Sequence, residues 1–224
     1  MNKNHVVVCL SGGLDSTVAV AYLKDHGFDV TTVGIDYGQR HRRELERAAT
    51  IASFYNVPFV RIDLSSFATT AFAGNALTDI GIDVPEGHYE DPTMKLTVVP
   101  NRNMTLLSIA TAVAISKKAT HVAYGAHKGD HAVYPDCRQE FYEAMSKSMQ
   151  LCNYTPVILT APFIDKTKTD IVKIGRKLNA PMHLTYSCYN GGVHHCGVCG
   201  TCVERREAFE QAKVLDPTVY STLF

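Results

Sequence analysis

The chain has 224 residues, and its 22 lysine and arginine side chains balance its 22 aspartate and glutamate side chains. This length is enough for one large α/β domain with a sizeable core, and it leaves room for only a small additional segment. The balanced charge argues against a stable complex with nucleic acid, and no apolar run reaches the roughly 18 residues of a membrane span.

Strand-like and helix-like segments alternate along the chain. Apolar runs predict strands at 6–10, 29–36, 58–63, 121–125 and 155–159, and helical spacing predicts helices at 17–23, 43–55, 104–116, 139–151 and 169–178. This alternation is typical of an α/β fold with a doubly wound parallel sheet, in which ligands bind at the carboxyl ends of the strands. Ser11, Asp36 and Gly125 follow three of these strands, so we expect them to meet in one crevice. The helix at 104–116 is apolar nearly all round, which predicts burial between layers.

We expect two parts in the chain. Residues 1–180 form a nucleotide-binding α/β domain with an irregular insertion at about 64–100, where glycine and proline are frequent. Residues 181–224 form a zinc-binding segment and a C-terminal helix that pack on the same domain. The first five residues are too short and too polar for a signal peptide, which predicts a cytoplasmic protein.

The first predicted strand runs directly into a glycine-rich turn, Ser11-Gly12-Gly13-Leu14-Asp15-Ser16, which opens the first predicted helix. A strand, a glycine turn and a helix N-terminus together present backbone N–H groups and a positive dipole end to a phosphate. The turn contains no lysine, so it differs from the phosphate loop G-x-x-x-x-G-K-[ST]. It resembles instead the SGGxDS pyrophosphate loop of the N-type ATP pyrophosphatases; the alternative is an ordinary glycine turn.

Four of the seven cysteines lie close together in a glycine-rich segment: Cys188, Cys196, Cys199 and Cys202. A C-x-x-C-x-x-C pattern with one more cysteine upstream can surround a tetrahedral ion, and four thiolates leave no open position, so we expect a structural zinc. An iron–sulfur cluster and free or paired thiols are the alternatives. His194 and His195 are near enough to replace a ligand, but the closed set of thiolates favours a place outside it.

Six segments spread over the chain share the pattern of one family. They are Leu10–Ser16, Asp36–His41 with Glu44, Val99–Asn103, Tyr134–Phe141, Ser187–Tyr189 and Cys196–Cys199. Together they resemble the QueC family of 7-cyano-7-deazaguanine synthases, whose fold is like that of the adenine nucleotide alpha hydrolases. The chain has Asn101 where the family pattern usually has a glycine.

The resemblance implies an ATP-dependent ligase that converts 7-carboxy-7-deazaguanine and ammonia to 7-cyano-7-deazaguanine, for queuosine or a related deazaguanine base. It also implies a homodimer with one structural Zn²⁺ per subunit. The chemistry agrees, because a carboxylate is a poor electrophile until it receives AMP. Ammonia then gives an amide, and removal of the amide oxygen calls for a second activation by ATP, so adenylated intermediates are expected. Both activations depend on positioning and on neutralising the pyrophosphate, which Mg²⁺ assists.

The resemblance places ATP on the run Leu10, Ser11, Gly12, Gly13, Leu14, Asp15, Ser16, Thr17, Val18, Ala19 and Val20. The predicted catalytic residues are Asp15, Arg102 and Lys166. Asp15 is the expected contact to Mg²⁺, because a carboxylate beside phosphates otherwise adds repulsion; the alternative is that it caps the helix. Lys166 would stabilise charge that develops at the α-phosphate, unless it is an ordinary solvated lysine.

The predicted substrate-binding residues are Arg40, Tyr134, Asp136, Arg138 and Glu140. An arginine can hold a phosphate or the substrate carboxylate with two hydrogen bonds, which makes Arg40 and Arg138 candidates together with Arg102. Asp136 and Glu140 could accept from the N–H edge of a guanine-like base.

Aromatic and thiol side chains near these positions have two readings each. Tyr134 and Tyr37 could stack on the base, although burial in the core is the commoner role of a tyrosine. Cys137 could form a covalent intermediate, but ammonia needs no enzyme nucleophile, so a packing role is favoured.

Two other functions remain as alternatives. One is a tRNA-thiolating adenylase of the same superfamily, which the balanced charge and the absence of an additional RNA-binding domain disfavour. The other is a non-catalytic zinc-knuckle module that binds nucleotide. The expected partners are therefore small molecules, namely 7-carboxy-7-deazaguanine, ammonia and ATP, with no stable nucleic acid and no membrane.

Overall fold

The computed structural model describes residues 4–40 and 43–221, and within them a parallel sheet of five strands lies between layers of helices. The strands are β1 His5–Cys9, β2 Asp29–Asp36, β3 Phe59–Asp63, β4 His121–Ala123 and β5 Ile158–Thr160. The helices are α1 Leu14–Asp25, α2 Arg43–Phe54, α3 Ser65–Ala71, α4 Arg102–Ser116, α5 Gln139–Leu151, α6 Lys168–Lys177 and α7 Gly200–Ala212.

The order of the strands is β3-β2-β1-β4-β5, and every neighbouring pair is parallel. The order reverses between β1 and β4, so the chain leaves these two strands in opposite directions and opens a crevice at their carboxyl ends. This arrangement confirms the predicted doubly wound α/β fold.

Helices cover both faces of the sheet. Helices α4 and α5 pack on one face, α1 and α2 pack on the other, and α6 and α7 form an outer layer against α1 and each other. The prediction that the apolar helix at 104–116, which is α4, is buried between layers is wrong. Leu107 and Ala110 face the sheet, but Met104 is 49% exposed, because no described element covers the outer side of α4.

Two predicted segments differ in detail from the structure. The last strand begins at Ile158, because Pro156 has no N–H to donate to a ladder and Tyr154 is fully exposed. The insertion at about 64–100 is less irregular than expected, since it contains α3 and a 3₁₀ helix at Pro92–Thr97. His41, which belongs to one of the family segments, lies outside the described residues.

The insertion is joined to the cysteine-containing segment. Glu86 and Cys199 form an antiparallel β-bridge, and the Gly87 N–H donates to the Val198 carbonyl at 3.1 Å. A Cβ added to Gly200 would lie 2.8 Å from the Met94 sulfur, so a glycine is needed where the two segments meet. The insertion and the start of α7 therefore form one packed unit.

The guanidinium of Arg205 anchors the last part of the described chain. Arg205 is fully buried and donates to Thr185 at 2.8 Å, to the Met182 carbonyl at 3.2 Å and to Asp216 at 3.2 Å. These bonds join α7 to the segment before the cysteines and to the segment after the helix. None of the described helices combines the length and apolar character needed to cross a bilayer.

Candidate active site

A cavity of about 240 Å³ opens at the point where the strand order reverses. The end of β1 and the first turn of α1 form one wall, and the loop after β4 forms the next. Helices α2, α4 and α6, the insertion, and Ser187, Tyr189 and Thr201 from the C-terminal part complete it. Its lining includes Leu10, Ser11, Gly13, Leu14, Asp15, Ser16, Tyr37, Glu44, Tyr89, Arg102, Asn103, Gly125, Asp130, Cys137 and Lys168.

The glycine turn is held tightly against α2. Gly12 has φ +91°, and a Cβ there would lie 2.1 Å from the Glu44 carbonyl oxygen and 2.9 Å from the Ala48 nitrogen. Only glycine combines this left-handed backbone with so close an approach. The turn and the start of α2 are therefore fixed relative to each other.

Hydroxyl groups shape the turn and leave the start of α1 open to a ligand. Ser11 Oγ accepts from the Gly13 N–H at 3.2 Å, and Thr17 Oγ1 donates to the Gly13 carbonyl at 2.7 Å. Gly13 is the N-cap of α1 and no side chain caps the helix. Because the first N–H groups of a helix have no partner within it, this end of α1 can bind an anion.

Gly125, after β4, brings a second backbone segment to the turn. A Cβ at Gly125 would lie 3.0 Å from the Ser16 nitrogen and 3.2 Å from Asp15 Cβ. The predicted convergence of Ser11 and Gly125 is therefore present in the cavity. Asp36 lies outside the lining and accepts from Arg61 at 3.1 Å.

Asp15 forms an ion pair inside the cavity. One of its oxygens, Oδ2, lies 2.8 Å from the Lys168 ammonium. Burial opposes ionisation of Asp15, but the charges of Lys168 and His127 outweigh it, and its pKa lies below the usual value. The other oxygen, Oδ1, is buried with no hydrogen-bond partner among the described residues. Asp15 lies in the first turn of α1 and does not cap it.

The later part of the predicted ATP run lies beneath the turn. Thr17, Val18, Ala19 and Val20 are buried in the packing of α1 against the sheet and against α6, and they are not part of the cavity lining. The structure therefore brings Leu10, Ser11 and Gly13 to Ser16 to the cavity lining, while Gly12 and the residues from Thr17 to Val20 support them.

Arg102 reaches the cavity from the start of α4, opposite the turn. Its guanidinium carbon lies 6.0 Å from the centre of the Tyr37 ring and 5.9 Å from that of Tyr134. Burial raises the pKa of the Glu44 carboxyl to about 7, although the nearby Arg102 charge acts in the opposite direction. The cavity thus holds a planar cation within about 6 Å of two aromatic rings, near a carboxyl whose pKa burial raises to about 7.

The turn before α4 requires a left-handed residue, and Asn101 supplies it with φ 60°. Asparagine adopts this conformation more readily than most residues, which explains how it can stand in the place of a glycine. Arg102 is the first residue of α4, so the conformation of Asn101 sets the direction from which Arg102 enters the cavity.

Asp136 and Cys137 contact the start of α4. Asp136 Oδ2 accepts from the Asn103 backbone N–H at 2.9 Å, and the Asn103 amide donates to Cys137 Sγ at 3.2 Å. Burial raises the pKa of the Cys137 thiol well above its usual value. A protonated, hydrogen-bonded thiol is a poor nucleophile, which favours the packing role of Cys137.

Tyr134 is buried behind Arg102. Its hydroxyl lies 2.6 Å from Thr97 Oγ1 and 3.0 Å from the Tyr189 hydroxyl. Tyr134 is not part of the cavity lining, whereas Tyr37 is. The structure therefore gives Tyr37 the closer approach to a ligand, and Tyr134 supports Arg102.

In addition to Tyr134 and Asp136, four predicted site residues lie outside the cavity lining. Arg40 donates to the Ile80 carbonyl at 2.7 Å, and Arg138 donates to the His131 carbonyl at 2.9 Å. Glu140 is exposed on α5. The Lys166 ammonium lies 2.7 Å from Asp165 at the surface, where its side chain is 41% exposed.

Four cavity-side residues escaped the sequence analysis: Lys168, His127, Asp130 and Glu204. Lys168 is the first residue of α6, whose start is marked by a capping box between Thr167 and Asp170. A cation at the first position of a helix opposes the helix dipole. This unfavourable position of Lys168 could have indicated, from the sequence alone, that its ammonium pairs with a carboxylate elsewhere.

The four cysteines form a compact cluster. The Sγ atoms of Cys188, Cys196, Cys199 and Cys202 all lie within 4.8 Å of one another. Cys196 Sγ and Cys202 Sγ are 3.9 Å apart, close to the edge of about 3.8 Å expected for a tetrahedron with metal–sulfur bonds near 2.3 Å. The donor set therefore fits a metal ion. His195 is not a member, since its Nε2 accepts from the Ser187 N–H at 3.0 Å.

The sequence is similar to that of a characterised group of proteins over nearly its whole length. The model of the family described as Queuosine biosynthesis protein QueC matches residues 5–213. The 7-cyano-7-deazaguanine synthase of Caldicellulosiruptor saccharolyticus is 52% identical over 214 residues, which cover 96% of this chain and 94% of that protein. The 7-cyano-7-deazaguanine synthase of Hahella chejuensis is 46% identical over 220 residues, covering 98% and 94%.

A solved structure shows the same fold at low sequence identity. It is described as a 4-thiouridine synthetase–RNA complex with bound ATP, and it superposes with a TM-score of 0.53 at 16% identity. The match covers 94% of this chain and 50% of that one, and at such identity it concerns the fold alone. The family match and the close relatives confirm the resemblance of the motifs, and this protein is an enzyme of the QueC family, which serves queuosine biosynthesis.

Proposed function

We propose that this enzyme uses two molecules of ATP to convert 7-carboxy-7-deazaguanine and ammonia to 7-cyano-7-deazaguanine. The observation that supports the proposal most directly is the cavity, because the anion-binding turn and the Arg102 guanidinium face the same space. One side suits the phosphates of ATP, and the other suits a flat base that carries a carboxylate. The names of the curated relatives agree with this reaction.

The first activation joins the two sides of the cavity. The carboxylate oxygen of the base attacks the α-phosphorus of ATP, and pyrophosphate leaves with the electron pair of the broken P–O bond. Arg102 holds the carboxylate, and the backbone N–H groups at the start of α1 hold the departing pyrophosphate. Positioning supplies most of the rate in such a step.

Ammonia then attacks the acyl carbon, AMP leaves, and loss of a proton gives the amide. The amide oxygen attacks the α-phosphorus of a second ATP and pyrophosphate leaves with the electron pair of the broken P–O bond. Departure of AMP from carbon, with loss of two protons from nitrogen, then gives the nitrile. Glu44 lies beside Arg102 with a pKa of about 7, so it is suited to accept protons from nitrogen near neutral pH.

Lys168 takes the role that the sequence analysis gave to Lys166. Its ammonium lies inside the cavity, 2.8 Å from Asp15, and burial is outweighed by Asp15 and Glu204, so its pKa lies above the usual value. Lys168 therefore stays charged at neutral pH. We assign it the stabilisation of negative charge at the α-phosphate.

Asp15 is the residue suited to hold Mg²⁺. Its Oδ1 atom is buried and has no hydrogen-bond partner in the described part of the chain, and oxygen is the ligand that this ion prefers. Bound there with ATP, the ion would neutralise charge on the phosphates. Asp15 itself would fix where the phosphates lie relative to the turn.

We propose further that the cysteine cluster holds a structural Zn²⁺, because four thiolates leave no open position for a reaction. Thiols kept free for a metal are typical of a reducing compartment, which agrees with a cytoplasmic enzyme. The family resemblance adds a homodimer with one zinc per subunit and no stable nucleic-acid partner. Residues 1–180 would bind the nucleotide and residues 181–224 the zinc.

One assay tests the proposed reaction. The purified protein is incubated with ATP, Mg²⁺, ammonium and 7-carboxy-7-deazaguanine, and pyrophosphate and the mass of the base are measured. We expect pyrophosphate release that depends on the base and a product with the mass of the nitrile. An amide alone would show that the second activation is lacking. No base-dependent pyrophosphate, or sulfur transfer to tRNA under the same conditions, would overturn the proposal.

A further inference from the structure

A buried network of charged side chains lies beside the phosphate-binding turn, and it contains Asp15, Lys168, Glu204, His127 and Asp130. The Lys168 ammonium lies 2.8 Å from Asp15 Oδ2 and 3.3 Å from Glu204 Oε2. The side chains of Lys168 and Glu204 are 14% and 13% exposed. One ammonium is thus shared between two carboxylates that come from different helices.

His127 also lies against the lysine, with its Nε2 atom 3.3 Å from the Lys168 ammonium. Its Nδ1 accepts from the Gly129 backbone N–H at 3.0 Å. The Nε2 atom lies 3.5 Å from Asp130 Oδ1 and 3.9 Å from Glu204 Oε1. The Lys168 ammonium is therefore hydrogen-bonded to Asp15, in contact with His127 and ion-paired with Glu204.

Glu204 is itself placed by rigid surroundings. It lies on α7, which starts directly after Cys199 and has Cys202 in its first turn. The next residue, Arg205, is fully buried and bonded to Thr185 and Asp216. The backbone of Glu204 is therefore fixed between the cysteine-bearing turn and this buried guanidinium.

The sharing of the Lys168 ammonium between Asp15 and Glu204 affects which oxygen of Asp15 the ammonium contacts. If Asp15 were the sole carboxylate near Lys168, the ammonium would settle between both oxygens of Asp15 and occupy the position near Oδ1. Glu204 Oε2 attracts the ammonium by charge at 3.3 Å and not through a hydrogen bond, and both this oxygen and Asp15 Oδ1 are buried with no hydrogen-bond partner among the described residues. The lysine then stays beside the turn instead of folding onto Asp15.

From this arrangement we infer that Glu204 is a positioning residue, which holds the Lys168 ammonium at the place where it meets the α-phosphate. The inference rests on the proposed function. A cation that acts on charge developed during the reaction affects turnover more than ATP binding. Displacing such a group by about 1 Å costs on the order of 100-fold.

The test uses Glu204→Gln, which keeps the shape of the side chain and removes its charge. We expect kcat for base-dependent pyrophosphate release to fall about 10- to 100-fold, while the KM for ATP changes less than about 3-fold. The control is Glu207→Gln on the same helix, whose carboxylate pairs with the exposed His88 at 3.2 Å. It should retain full turnover, and both variants should keep their metal content and melting temperature.

A double-mutant cycle separates positioning from a structural effect. In single-turnover reactions with labelled ATP, Glu204→Gln should cost nothing further once Lys168→Ala is present, because Glu204 acts through the lysine. Equal losses in both backgrounds would overturn the inference. Unchanged turnover of Glu204→Gln would overturn it as well.

Chemical labelling of Lys168 gives a test that does not depend on the enzymatic reaction. Under limited acetylation, the ammonium of Lys168 should react at least about 10-fold more slowly than exposed Lys166, and Glu204→Gln should bring the two rates closer together. Unchanged labelling of Lys168 in the variant contradicts the contact. If the wild-type protein releases no base-dependent pyrophosphate, the proposed function fails and this role with it, whereas the labelling still decides whether Glu204 holds Lys168.

Discussion

Arg102 is the cation best placed to receive the carboxylate of the proposed substrate, because it enters the cavity between two aromatic rings. Replacing it by lysine keeps the charge and removes the planar pair of donors. We expect Arg102→Lys to raise the KM for 7-carboxy-7-deazaguanine about 10-fold or more, with a smaller effect on the KM for ATP. Steady-state kinetics with each substrate varied in turn will measure both. A larger rise in the KM for ATP would assign Arg102 to the phosphates instead.

The two lysines at the start of α6 form a natural pair for comparison. The Lys168 ammonium pairs with Asp15 in the cavity, while the Lys166 ammonium pairs with Asp165 at the surface. We expect Lys168→Ala to lower kcat by about 10²- to 10³-fold, as loss of a positioned donor does, and Lys166→Ala to change it less than about 3-fold. Pyrophosphate release measures both. A reversed order would restore the role first given to Lys166.

The Glu44 carboxyl makes folding depend on pH. Its pKa is raised from the usual 4.5 to about 7 in the folded protein, so between these values the folded chain binds more protons than the unfolded chain. The free energy of unfolding therefore falls as the pH rises through this window. We expect Glu44→Gln to be more stable than the wild type by about 1 to 3 kcal/mol at pH 8, and equally stable at pH 4. Urea unfolding at the two pH values will show this, and equal stability at pH 8 would contradict the burial of the charge.

At the scale of elements, the glycine turn and α2 act as one unit. Gly12→Ala would place a methyl group 2.1 Å from the Glu44 carbonyl, in a backbone conformation with φ +91°. We expect a loss of about 2 to 5 kcal/mol in stability and the loss of ATP binding. Gly27→Ala is the matched control, because its φ is also positive but nothing lies within 4 Å, so about 1 kcal/mol is expected. Calorimetry of ATP binding and thermal unfolding will compare them, and similar losses in the two variants would show that backbone strain alone explains the effect.

The elements also show how much of the fold and of the candidate site could be predicted from the sequence. The alternation of strands and helices was enough for the parallel sheet, and the turn at Ser11–Ser16 and the cysteine spacing were enough for two candidate sites, because each pattern is local. The contact between Asp15 and Lys168 joins residues 153 positions apart, and no local pattern reports it. Arg138 carries a suitable chemical group but donates to the backbone away from the cavity, because residue type does not determine the direction of a side chain.

At the scale of the whole molecule, the cysteine cluster joins the insertion to the helical layer. If the cluster holds the proposed Zn²⁺, removing the ion with a chelator should loosen the segment near Glu86 before the sheet unfolds, because Cys199 belongs both to the cluster and to the bridge. We expect proteolysis within residues 79–91 to accelerate by at least about 10-fold while the circular dichroism changes little. Cys202→Ser should behave in the same way without a chelator, and Cys152→Ser, at an exposed cysteine, should not. Uniform cleavage along the chain would show that the metal supports the entire fold.

The bridge between Glu86 and Cys199 also bears on how the enzyme responds to its environment. Tyr89 lies three residues after Glu86, lines the cavity, and donates from its hydroxyl to Asp130 at 2.9 Å. A protein without the proposed metal ion would therefore lose one wall of this cavity while its sheet remains in place. The circular dichroism of such a molecule would resemble that of the intact protein. Its cavity would nevertheless admit water to the adenylated acid. A shortage of the ion would therefore lead to hydrolysis of the intermediate and to consumption of ATP without product.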